Sequence, residues 1–149
     1  MGTDAYSTIL AVEDNDEDFV ALVRAFRSVA PDVRVDRCID GDEALDYLHR
    51  RGEYAEVGTP GLVVLDLNLP GTDGREVLEV IKADEGLRML PVIVLSTSGS
   101  ADDVHGSYRG GANCYVQKAL DPTEFRRRIL ALRSFWMEAV LLPSASTAE

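Results

Sequence analysis

Three short apolar runs constrain the fold of this chain more than anything else in it: "TILAVE" at 8–13, "LVVLD" at 62–66 and "PVIVLS" at 91–96. Each is too short for a core helix, and each carries apolar residues on both faces of an extended chain. A strand that is apolar on both faces has to be covered on both. That is the mark of a parallel sheet packed between helices rather than of an antiparallel sheet facing water.

The segments between the runs supply the helices. "DEDFVALVRAFRSVA" (16–30) places Phe19, Leu22, Val23, Phe26 and Val29 at helical spacing behind an acidic first turn, and Pro31 stops it. "VRVDRC" (33–38) alternates as a half-buried strand. "GDEALDYLHRR" (41–51) turns Ala44, Leu45 and Leu48 inward, and "GREVLEVIKAD" (74–84) turns Val77, Leu78 and Ile81 inward. "ADDVHGSYRGG" (101–111) is a weak helix ending on a glycine pair, and "CYVQK" (114–118) is a strand. "DPTEFRRRILALRSFWMEAV" (121–140) is a long helix with Asp121 as N-cap and Pro122 at its first position. Five β–α units follow, an α/β doubly wound sandwich whose ligands bind beyond the carboxyl ends of the strands.

With 149 residues the chain suits one domain. Residues 1–7 read as an N-terminal extension, 8–142 as the domain with its C-terminal helix and extension, and 143–149 as a flexible tail. A net charge of −11 opposes the phosphate neutralisation that nucleic-acid binding depends on, so no nucleic acid is expected. No apolar run approaches the roughly 20 residues of a membrane span, and the first residues lack the pattern of a signal peptide. Cys38 and Cys114 read as small core residues in a reducing compartment, so a cytoplasmic protein is expected. His49 and His105 read as ordinary surface or packing residues.

The strand ends concentrate chemistry. The first strand runs into Glu13-Asp14-Asn15-Asp16, the third into Asp66, the fourth into Ser96-Thr97-Ser98, and the fifth into Lys118. Any one of these alone reads as a solvated turn former. Such residues at four strand ends at once do not. Carboxylates that converge repel each other unless a cation lies among them, and hard oxygen ligands without His or Cys suit Mg²⁺. Of 15 cationic residues only Lys82 and Lys118 are lysine, and the compact charge of Lys118 suits a phosphoryl oxygen.

Taken in order, "AVEDN", "LDLNLPGTDG", "VLSTS" and "YVQK" resemble the receiver domain of two-component response regulators over nearly the whole chain. Asp66 stands 30 residues before Ser96 and 52 before Lys118, spacings that fit. The resemblance implies a flavodoxin-like five-stranded sheet of order 2-1-3-4-5, on which Cys38 and Cys114 lie too far apart for a disulfide. It implies that Asp66 is the phosphoacceptor for a phosphohistidine of a sensor histidine kinase. Asp14, Asp66, the backbone carbonyl of Asn68 and, through water, Glu13 would hold Mg²⁺. Ser96 and Thr97 would bind the phosphoryl group, Tyr115 would move in step with it, and Lys118 would pair with a phosphoryl oxygen. Such a protein is a phosphorelay switch that takes part in its own phosphoryl transfer rather than an enzyme. One departure is Ala119, where the family usually has a proline, often after a cis bond. Either the Lys118–Ala119 bond is trans with a rearranged loop, or the fold holds a strained one.

Two other readings share the topology. A haloacid-dehalogenase-type phosphatase also uses a strand-end Asp and Mg²⁺, but needs a second Asp where Asn68 stands, and a cap insertion is lacking. A flavin-binding module needs a phosphate loop that "EDNDED" does not offer.

No output domain follows the last helix, so the chain reads as a stand-alone receiver that signals by contact. The ending "SFWMEAVLLP" and the long loop at 51–61 resemble the small receivers paired with bacterial phytochrome kinases. On the final helix Phe125, Ile129, Leu132 and Trp136 form a stripe for the sheet. Leu130, Met137 and Leu141 form a second stripe. Family receivers pair through the fourth helix, fifth strand and fifth helix, so a homodimer through this region is expected, tuned through Ser96 and Tyr115.

Overall fold

The structure, a computed structural model, describes residues 8–28 and 31–143. The N-terminal extension 1–7, Val29 and the tail from 144 lie outside the described residues. Five parallel strands alternate with five helices: β1 (Thr8–Val12), α1 (Asp16–Arg27), β2 (Arg34–Cys38), α2 (Gly41–Leu48), β3 (Leu62–Leu65), α3 (Gly74–Ala83), β4 (Val92–Ser96), α4 (Ala101–Arg109), β5 (Cys114–Gln117) and α5 (Pro122–Ser134). The sheet order is β2-β1-β3-β4-β5, and all four pairings are parallel.

The double-sided apolar runs do what their pattern requires. Ile9, Ala11, Leu62, Val64, Ile93 and Leu95 point to one face, where Leu22, Ala25 and Phe26 of α1 and Phe125, Ile129 and Leu132 of α5 cover them. Leu10, Val12, Val63, Leu65, Val92 and Val94 point to the other, under Ala44, Tyr47 and Leu48 of α2 and Val77, Leu78 and Ile81 of α3. Each large side chain so buried contributes roughly 1.5–3 kcal/mol relative to exposure. Helix starts follow side-chain chemistry. Asn15, Asp40, Asp73, Ser100 and Asp121 each accept a backbone N–H from the first turn of the helix they precede.

The long loop between α2 and β3 holds a short 3₁₀ turn, Gly52–Tyr54. Tyr54 and Val57 pack against the α2–α3 core, and the Tyr54 hydroxyl donates to Glu43. Cys38 is buried on the edge strand β2, Cys114 half-buried on the opposite edge β5, and both are free thiols.

The C-terminal region departs from a single helix over 121–140. α5 ends at Ser134, and one π-helical turn, Phe135–Ala139, follows. The Val140 N–H reaches the Phe135 carbonyl at 3.2 Å, and Val140 itself is extended. The sheet-facing stripe holds, with Phe125, Ile129, Leu132 and Trp136 all buried. The second stripe does not. Leu130 and Met137 pack in part against the chain's own core, while Leu141 lies beyond the helical turns and is 96% exposed. The last turn widens before Leu141, so ideal helical spacing no longer places it beside Met137.

Candidate functional site

The strand order reverses beside β1, which has β2 on one side and β3 on the other. The crevice at such a switch point lies past the carboxyl ends of the strands. The candidate residues gather there, and three of them are pinned by one further inter-strand bond just past their strands. Glu13 N–H donates to the Cys38 carbonyl at 3.0 Å, Asp66 N–H to Val12 at 3.0 Å, and Lys118 N–H to Ser96 at 2.7 Å. The Arg37 guanidinium also holds the Glu13 carbonyl, at 2.9 Å, while lying over the Phe19 ring.

The loop after Asp66 folds back tightly. Gly71 has φ +70°, and a Cβ on Gly74 would sit 2.2 Å from the Asp66 carbonyl oxygen. The Gly74 N–H donates to the Leu67 carbonyl at 2.9 Å. "PGTDG" therefore lays the start of α3 against the strand end and fixes the backbone from which the Asp66 side chain leaves.

Glu13, Asp14 and Asp66 each offer a carboxylate oxygen, all within 4.8 Å of one another. Glu13 and Asp66 are buried and Asp14 is exposed. Two buried carboxylates beside an open one suit a hard divalent cation that keeps part of its water. The residues present fit such an ion. Asn68 is exposed, and its backbone N–H donates to Asp66 Oδ1 at 3.1 Å.

Lys118 closes the site from the other side. Its side chain is buried, and Nζ lies 2.9 Å from Glu13 Oε1, 2.8 Å from Asp18 Oδ2 and 3.0 Å from Asp66 Oδ2. No cis peptide bond occurs among the described residues, so Lys118–Ala119 is trans. Burial alone would drive the ammonium toward its neutral form, but its bonds to Asp18 and Glu13 and the charges of Glu13 and Asp66 outweigh it, and the pKa is raised. Burial pushes the Glu13 carboxyl above the ordinary carboxylate range, against the pull of Lys118.

Ser96 is wholly buried, and its Oγ accepts the Ser98 N–H at 3.2 Å. Thr97 is exposed, its carbonyl taking a bond from Gln117. Tyr115 donates its hydroxyl to the Ser98 carbonyl at 2.8 Å. Ser98 Oγ in turn donates to Asp103 at 2.6 Å, and Arg75 pairs with Asp103 at 2.8 Å, so the β4–α4 loop is tied to both β5 and α3. Sequence reasoning missed Asp18, which it read only as an acidic first-turn residue of α1. Its signal was its place three residues after the cap Asn15, at a helix N-terminus facing the strand ends.

Residues 9–130 match the response regulator receiver domain family. The response regulator Rcp1 of Synechocystis sp. is 39% identical over 137 residues, covering 92% of this chain and 93% of its own. The crystal structure of Rcp1 in its Mn²⁺-bound form superposes with a TM-score of 0.90 at 38% identity, over 93% of this chain and 99% of that one. The phosphorylated cyanobacterial phytochrome response regulator RcpA gives 0.90 at 40% identity, over 93% and 99%. The bacteriophytochrome response regulator AtBRR gives 0.69 at 39% identity, over 91% and 96%. These relatives leave no support for the phosphatase alternative. Family match, sheet order and the convergence of Asp14, Asp66 and Lys118 agree: this chain belongs to the response regulator receiver domains, the switches of phosphorelay signalling.

Proposed function

We propose that Asp66 accepts the phosphoryl group, from a phosphohistidine of a sensor histidine kinase in the cytoplasm. The observation that carries this reading is the Asp66 carboxylate itself: buried at the end of β3, 3.0 Å from the Lys118 ammonium and beside the carboxylates of Glu13 and Asp14. An Asp66 carboxylate oxygen attacks phosphorus, the P–N bond breaks, and the imidazole leaves with the electron pair and takes a proton from water. The product is an acyl phosphate.

Asp14, Asp66 and the Asn68 carbonyl, with Glu13 through water, would hold Mg²⁺, which would supply positive charge to offset that on the phosphoryl oxygens. The chain's own part is to aim and to compensate. Lys118 supplies a fixed positive charge to a phosphoryl oxygen, in a site where neither side chain has to reorganise far. Ser96 bonds another phosphoryl oxygen, with Thr97 beside it. The Ser98–Tyr115 bond then breaks or re-forms as the loop follows, which turns the covalent event into a change on the α4–β5–α5 surface.

The likeness to RcpA and to AtBRR supports a phytochrome as the kinase. A second copy of the chain is the proposed partner on the α4–β5–α5 surface. Leu141 stays at its apolar centre, and the exposed Phe135, in the turn that follows α5, takes the place of the half-buried Met137 and Leu130. Incubation with acetyl phosphate and Mg²⁺ tests the core of this reading. Wild type gains a covalent phosphoryl group and Asp66→Asn gains none; stoichiometric labelling of Asp66→Asn would overturn it.

A further inference from the structure

We propose that Asp18 is a positioning residue that holds Lys118 in aim at the phosphoacceptor, both before and after the phosphoryl group arrives. The inference rests on the roles given above to Asp66 and Lys118, and adds a group outside the set that the ordered motifs point to.

An ammonium has three N–H bonds to place. Those of Lys118 have three carboxylate partners, and the shortest contact, 2.8 Å, is to Asp18. The partners are not equivalent. Among the described residues Glu13 and Asp66 belong with Asp14 to the cluster able to hold a metal ion, and Asp18 does not. Asp66 exchanges its bond to Lys118 for a phosphoryl oxygen once it is modified, and Glu13 has the ion to serve. Asp18 is the one partner free to hold the ammonium throughout.

Its own support is rigid. Asp18 is in the first turn of α1, and its N–H donates to Asn15 Oδ1 at 2.9 Å in the helix cap. The negative side chain is stabilised there by the helix N-terminus. The Asp18 side chain keeps 24% of its exposure while that of Lys118 keeps 6%, so the anion retains some contact with water while it anchors a buried cation. A lysine side chain is long and flexible, and here it follows β5 on a trans peptide bond into Ala119. A side-chain tether to α1 fixes its head group from the far side of the crevice.

The chain's two lysines make this directly observable. Lys82 donates to the carbonyls of Arg88 and Leu90, at 3.0 and 2.8 Å, and serves as an internal reference. Side-chain ammonium NMR on the whole protein, with the Lys118 signal assigned by through-bond correlation along its own side chain, is the test. In wild type a scalar coupling across the hydrogen bond links Lys118 Nζ to the Asp18 carboxylate carbon, both in the free protein and with Mg²⁺ and beryllofluoride added. In Asp18→Asn, proton exchange of the Lys118 ammonium rises several-fold, that of Lys82 is unchanged, and Asp18→Glu recovers part of the protection. The labelling rate with acetyl phosphate falls by about tenfold, a displacement effect, and Asp18→Asn adds nothing in a Lys118→Met background. Loss of the coupling on adding beryllofluoride overturns the proposal. So does a Lys118 signal unchanged in Asp18→Asn, or an equal loss of rate in both backgrounds. The coupling in wild type is read without any variant having to fold. Because it is read without phosphoryl transfer, it stands or falls separately from the assignment of Asp66.

Discussion

Lys118 Nζ lies 3.0 Å from Asp66 Oδ2, a contact between residues 52 apart in sequence that joins the ends of β3 and β5. It is a buried ion pair in a cluster with more carboxylates than cations. Removing one partner of such a pair leaves an uncompensated charge and costs about 3–5 kcal/mol. Lys118→Met should therefore lose stability of that order without Mg²⁺, and Mg²⁺ should restore more of it than it adds to wild type, because the ion replaces the missing positive charge. Urea unfolding of both proteins with and without Mg²⁺ measures this; equal Mg²⁺ increments would contradict it.

Gly74 and Gly106 make opposite predictions. A Cβ on Gly74 meets the Asp66 carbonyl and the Leu67 backbone, whereas one on Gly106 meets nothing within 4 Å. Gly74→Ala should destabilise by about 1–3 kcal/mol as the backbone shifts, and labelling should fall with it because Asp66 moves. Gly106→Ala, inside α4, should stabilise by up to about 1 kcal/mol. Thermal unfolding checks both, and a neutral Gly74→Ala would show that the α3 start does not press on Asp66.

Much of this was legible in the sequence, because the sheet is double-sided. Runs such as "LVVLD" and "PVIVLS" announce strands covered on both faces, and a strand end is where charge can reach water. Inspecting the strand ends points to Glu13, Asp14, Asp66, Ser96 and Lys118; the roles given to them come from the family resemblance. Asp18 was not, because an acidic residue in a first helical turn is already explained by the helix dipole; only the three-dimensional approach of α1 to β5 gives it a second role. The end of α5 was misjudged because periodicity assumes ideal turns, and the π-helical turn at Phe135–Ala139 changes the phase just before Leu141. The aim of Lys118 past Ala119 likewise depends on packing rather than on a local signal.

The tie between the β4–α4 loop and α3 has a pH dependence with a definite sign. The Ser98 hydroxyl, and after it Arg75, hold the Asp103 carboxyl below its ordinary value. A carboxylate with a depressed folded pKa contributes stability above its unfolded value, and that contribution is lost as pH falls through the folded one. Protection of the α4 amides, taken relative to their intrinsic exchange rate at each pH, should thus fall below about pH 4, and Asp103→Asn should show the lower protection at neutral pH. A pH-independent α4 would mean that the Ser98–Asp103–Arg75 chain does not hold it.

The α4–β5–α5 surface predicts self-association at tens of micromolar, about −6 kcal/mol of binding free energy. Phe135→Asp combined with Leu141→Asp should abolish it, since both side chains are exposed. Sedimentation equilibrium of the two proteins decides. A wild type that stays monomeric with and without beryllofluoride removes this surface as a homodimer site, as does a double variant that still pairs.

The switch depends on the phosphoryl group resting on Asp66. Borohydride reduction of the acetyl-phosphate-treated protein converts an aspartyl phosphate to homoserine, and peptide mass spectrometry then locates it. Homoserine is expected at position 66 and in place of no other aspartate. Homoserine elsewhere with Asp66 intact, or a phosphoryl group on a serine or threonine, would contradict it.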